Sequence, residues 1–190
     1  MSHRFTGPTP TSLAGRHLVE VFVAGWEVEC CAPPPVVGES TTWTLGFSAT
    51  TDECPSCGLD RDRTWQVVRH ETWTAVADGP VVACWNDRCG RPPGPGRHAL
   101  RGYLVGSVHG LGPDDVPPTT GTVQRVRLAT EVFRLDDERT LRPVAGTLEL
   151  VDVARSPRSF SRGDRRIEPG VDLPMQTGVL VEVSVPGTAM

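Results

Sequence analysis

The sequence predicts an all-β protein, and three observations carry that prediction. Glycine (20) and proline (18) make up about a fifth of the 190 residues, against ~12% in an average chain, which favours many turns over long helices. The apolar residues fall in short runs rich in Val, Trp and Thr that alternate with polar ones, the period of a half-buried strand. No segment sustains a 3.6-residue apolar period, and no internal repeat is evident, so at most a turn of helix is expected.

Residues 1–16 are polar, with Pro, Gly, Ser and Thr throughout, and read as a disordered tail. The first strand segment is LVEVFVAGWEVECC. Val19, Val21 and Val23 share one of its faces, and Trp26, Val28 and Cys30 share one after the break at Ala24-Gly25. Cys30 is thus expected in the core, with Cys31 outside beside Glu27 and Glu29. Neighbours on a strand point to opposite faces, so the two cannot both enter a core; a vicinal disulfide is the rarer alternative, and two separate thiols are expected here. PPPVVGE is a turn-rich link. STTWTLGF alternates again, with Trp43, Leu45 and Phe47 on one side. The two segments read as an antiparallel pair.

RTWQVVRHETWTAV and PVVACW follow, separated by the turn signal ADGP, and GRPPGPGR at 90–97 breaks regular structure. HALRGYLVGSVHG resumes strand character. After the loop GPDDVPPTTG come TVQRVRLATEVFR, GTLELVDV and GVLVEVSV, with a long Arg-rich loop between the last two. The organisation expected is a small SH3-like or OB-like β-barrel, split between 17–50 and 98–186, with a zinc-ribbon-like insertion at 51–97.

The chain has no Lys, and its formal net charge is −4. That balance argues against a DNA-coating protein, whose affinity comes largely from phosphate contacts. The first residues lack the apolar run of a signal peptide, and no stretch approaches the ~20 apolar residues of a membrane span. The expectation is a soluble cytoplasmic protein that has no membrane partner and whose thiols stay reduced, which favours metal over disulfide for paired cysteines.

DECPSCGLD places Cys54 and Cys57 at the spacing of a zinc knuckle, and CWNDRCG places Cys84 and Cys89 at a looser spacing still within the ligand range. The 26 residues between the pairs leave room for two or three short strands. Four thiolates would close a tetrahedral shell, so the cofactor expected is structural zinc held by Cys54, Cys57, Cys84 and Cys89. Four unrelated buried thiols are the plainer alternative, and a redox or disulfide role is a third. A thioredoxin-like site wants its cysteine at a helix N-terminus, and GLDRDRTW is a poor helix start. The zinc-deaminase pattern also fails, because His70 and Glu71 are adjacent and follow the first pair.

Two blocks resemble a small family of uncharacterised actinobacterial proteins known only as a domain of unknown function. The first carries Trp26, Cys30, Cys31, Val37, Gly38, Glu39 and Trp43; the second carries His109, Gly110, Gly121, Val123 and Val126. Ala32 stands where that family has a glycine. The resemblance implies no activity, but it supports treating 17–50 and 98–186 as one split domain, with the knuckles as an elaboration.

Three function classes follow. The first is a non-catalytic binding or adaptor protein with a protein partner, since no catalytic motif appears. The second is RNA or single-stranded nucleic-acid binding through Arg155, Arg158, Arg162, Arg165 and Arg166 with Phe160 among them, because arginine forks and an aromatic suit phosphates and bases. The third is an enzyme using His109 and the acidic loop at Asp114 and Asp115.

Overall fold

The computed structural model describes residues 16–52, 57–136, 140–163 and 170–187. The tail expected at 1–16 lies outside them except for Arg16. Ten strands form one mixed sheet: β1 Arg16–Ala24, β2 Ser40–Ala49, β3 Arg61–Arg69, β4 Thr74–Asp78, β5 Val81–Trp85, β6 Gly96–Ser107, β7 Thr119–Leu135, β8 Leu141–Pro143, β9 Glu149–Val153 and β10 Asp172–Pro186. Among the described residues, one short helix, α1 (Gly25–Cys30), and a 3-10 turn at Asp87–Cys89 complete the regular structure. The all-β class therefore holds. A small SH3-like or OB-like barrel would need fewer strands than the ten found.

The pairings close on themselves. β10, β1, β6, β2 and β7 pair in turn, and β7 pairs back to β10. A second circuit runs β6, β3, β4, β5, β2 and back to β6. The two circuits share the β2–β6 pair. β1–β6 and β2–β5 are parallel; the other pairings between strands are antiparallel. β1 and β2, expected to pair, are not neighbours, because β10 and β6 take the two edges of β1.

The strand faces read from alternation are the ones that are buried. Val19, Val21, Val23, Trp43, Leu45 and Phe47 all lie in the main core. Trp65, Val67, Val76, Val81, Ala83 and Trp85 lie in that same core. The segment 51–97 thus shares the apolar interior of its flanks, and its strands hydrogen-bond to β2 and β6.

The largest local departure is at residues 25–30. The strand expected there stops at Ala24, the last residue paired with β10, opposite Gly178. The chain then coils into α1. Gly25 permits the turn because a Cβ there would meet the Phe160 ring at 2.9 Å. The helix buries Glu27 and Val28 and turns Trp26, Glu29 and Cys30 outward. Cys30 is therefore exposed beside Cys31, not packed in the core, because helical and not strand periodicity decides its direction.

The shared β2–β6 pair makes Gly102 a sensitive position. A Cβ there would lie 2.4 Å from the Ser48 carbonyl oxygen, and backbone cannot move aside as a flexible side chain can. Gly94 has nothing within 4 Å of that position. Gly102→Ala should lower stability by about 1–3 kcal/mol, while Gly94→Ala should stay within about 0.5 kcal/mol of the parent. Urea unfolding midpoints of the two variants test this.

Candidate functional site

β1 and β6 run parallel, with Val21 beside Leu104 and Phe22 beside Val105. The segments that follow each strand therefore leave on the same side of the sheet. After β1 comes α1, ending in Cys30 and Cys31; after β6 comes the loop that begins Val108-His109. Residues far apart in sequence meet there.

Glu27 fixes the meeting point. Its carboxylate is only 2% exposed and accepts a hydrogen bond from the Ser107 hydroxyl and a longer one, 3.4 Å, from the Val108 amide. The Ser107 hydroxyl oxygen accepts from the His109 amide at 3.0 Å. A buried carboxylate must be hydrogen-bonded to be tolerated, and these bonds tie the end of β6 to the helix. His109 then projects outward, with Trp26 stacked beside it at 6.1 Å between ring centroids and 12° between planes.

The His109 Nε2 lies 3.9 Å from Cys30 Sγ and 4.0 Å from Glu27 Oε2. The ligand atoms of Cys30, Cys31 and His109 all lie within 4.8 Å of one another, and all three residues are exposed. Among the described residues this is the one cluster of three or more such side chains that could hold a metal ion. The sulfurs of Cys30 and Cys31 are joined as a vicinal disulfide, where two separate thiols were expected. The helix end permits what a strand would not. The amides of Cys31 and Ala32 both donate to the Glu27 carbonyl, at 2.9 and 2.7 Å, and fold the two residues back toward the helix.

A Cys-His-Glu triad is not what this geometry makes. In a triad the base uses one ring nitrogen for the nucleophile and the other for the carboxylate. Here the same Nε2 faces Cys30 and Glu27. In the acidic loop, the Asp115 carboxylate accepts a hydrogen bond from the Trp73 indole at 3.0 Å.

The four expected zinc ligands are placed as follows. Cys54 lies outside the described residues. Cys57 is a half-buried free thiol near the Tyr103 hydroxyl. Burial raises the pKa of that thiol and pushes Tyr103 up to about 12. Cys84 is a buried free thiol against Trp73 and Val116, also raised, by burial first and then by Asp87 and Asp115. Cys89 is fully buried and disulfide-bonded. A four-thiolate shell would require Cys89 as a free thiolate beside Cys57 and Cys84.

In the Arg-rich loop, Arg165 and Arg166 lie outside the described residues. Phe160 is 6% exposed and belongs to the core, so its ring is turned away from any base that could stack on it. Its amide donates to Glu29 at 2.8 Å, and Arg162 pairs with the same carboxylate. The Phe160 amide above all, and Arg162 with it, hold Glu29 below the usual carboxylate range. Arg155 and Arg158 are exposed, and Arg155 makes a bridge to Val36.

The fold and the cluster together define a nearly all-β protein with an exposed Cys-Cys-His group whose ligand atoms lie close enough together for a metal site. The chain belongs to a family of unknown function (DUF6578), which matches residues 17–185. That span includes 51–97, so the knuckle segment lies within the family's extent. No curated protein and no solved structure matches the chain. No helix among the described residues is long and apolar enough to cross a membrane.

Glu27→Ala would leave the Ser107 hydroxyl and the Val108 amide without their acceptor. The expected cost is about 1–3 kcal/mol, with faster amide hydrogen exchange at 107–110 than in β2. Mass-spectrometric exchange on parent and variant tests it; unchanged exchange in that loop would show that Glu27 does not hold it.

Proposed function

We propose that this protein binds one soft metal ion, with zinc as the ion to test first, through the thiolates of Cys30 and Cys31 and the Nε2 of His109. The convergence of those three donors carries the reading. Thiolate and imidazole donors favour zinc and its soft neighbours over calcium or magnesium. Around a tetrahedral zinc, a sulfur and a nitrogen ligand sit roughly 3.5 Å apart. Cys30 Sγ and His109 Nε2 are 3.9 Å apart, within a few tenths of an ångström of that spacing; the two sulfurs, bonded to each other in the structure, would have to part on reduction to the roughly 3.8 Å that separates two thiolates on one zinc.

With three protein donors on an exposed surface, the fourth position is open to water or to a donor from another molecule. That differs from the closed structural shell expected of the four knuckle cysteines. The protein is then a binding protein with an accessible, exchangeable ion. Glu27 and Ser107 act behind the first ring of ligands by fixing where His109 stands.

Titration of the fully reduced protein with zinc against a coloured chelator tests the proposal. The parent should bind one more equivalent than the Cys30→Ser, Cys31→Ser double variant, which controls for the remaining cysteines. Glu27→Ala should retain that equivalent but bind it about 10–100-fold more weakly. Equal zinc in parent and double variant would overturn the assignment.

A further inference from the structure

A thiolate site and a disulfide cannot be made from the same two sulfurs at once. The structure bonds Cys30 to Cys31, and metal ligation requires both as thiolates. We propose that the Cys30–Cys31 pair is a two-electron redox couple that exchanges with a small dithiol or a protein dithiol, and that its state decides whether metal can bind. The gating half rests on the metal reading above; the couple itself does not.

Three features support exchange at this position. Both cysteines are exposed, so an incoming thiolate can reach the bond. The pair is held from both sides: Val28 and Ala32, which flank it, are buried, and Glu29 is tied to Phe160 and Arg162. After reduction the two sulfurs therefore stay close enough to re-form the bond. The other described thiols, Cys57 and Cys84, are shielded by burial, which raises their pKa and suppresses competing exchange.

The chemistry balances as follows. A thiolate of the dithiol attacks one sulfur of the pair. A mixed disulfide forms, the Cys30–Cys31 bond breaks, and the released cysteine takes a proton from water. The second thiol of the reductant then attacks its own sulfur in the mixed disulfide. The reductant closes into a disulfide and the second cysteine is released. Two electrons and two protons have passed from the dithiol to the pair. Metal entry afterwards displaces the thiol protons.

The test uses the whole 190-residue chain purified without reductant, and dithiothreitol as the dithiol. Before treatment, the peptide carrying Cys30 and Cys31 should be two hydrogens lighter than its dithiol form and should resist alkylation. After treatment and removal of the reagent under argon, both cysteines should alkylate, and the chain should gain one zinc equivalent that the Cys30→Ser, Cys31→Ser double variant does not. Mild oxidation should release that zinc and restore the lighter peptide. A pair that is found reduced and cannot be oxidised overturns the couple. Zinc bound at this site equally before and after reduction overturns the gating. A pair that cycles while the reduced protein takes no extra zinc supports the couple and overturns the metal reading of the previous section.

Discussion

The short parallel contact between β1 and β6 is the constraint on which the site depends. Only two residue pairs are in register there, Val21 with Leu104 and Phe22 with Val105. Antiparallel neighbours would send their following segments to opposite ends of the sheet. Parallel neighbours send them to the same end, and their connection must cross over, which here takes the whole chain between them. That crossover contains β2 to β5, so the second circuit of strands is the connection that makes the site possible. The β2–β6 pair then locks the arrangement, because both circuits pass through it.

Given that framework, a single buried carboxylate does the local positioning. Burying Glu27 would be costly if it stood alone. Its hydrogen bonds with Ser107 and Val108 offset the cost and convert it into a positional constraint. The same residue caps the end of α1 through its carbonyl, which accepts the amides of Cys31 and Ala32. Side chain and backbone of one residue thus orient the histidine and the cysteines respectively. Glu29 extends the effect outward by fastening the Phe160–Arg162 segment to the opposite face of the helix.

The strands were legible because alternation reports burial directly: the Val19–Val23 and Trp43–Phe47 faces are buried as read. The pairing order was not legible, since alternation says which face is inside but not which strand lies alongside. The site was half legible. His109 drew notice as a loop histidine, and the family-like blocks contain Trp26, Cys30, Cys31 and His109 together. Nothing local says that the two blocks touch. Glu27 was missed because AGWEVECC satisfies a strand period as well as a helical one, and six residues are too few for the helical period to assert itself. The knuckle spacing drew attention to four other cysteines because spacing is visible in sequence, whereas an adjacent pair gains meaning only from its backbone turn.

The tryptophans have a consequence of their own. Of the five in the chain, Trp43, Trp65, Trp73 and Trp85 are buried, each at most 8% exposed, while Trp26 is 55% exposed. Trp26 is also the one stacked on His109 and one helical turn from Cys30. Imidazolium, disulfide and many metal ions all quench indole emission at short range. The protein therefore carries an intrinsic fluorescent reporter at its Cys-Cys-His cluster. Light emitted at the red, solvent-exposed edge of the spectrum comes from that one residue, while the four buried indoles report on the core at shorter wavelengths.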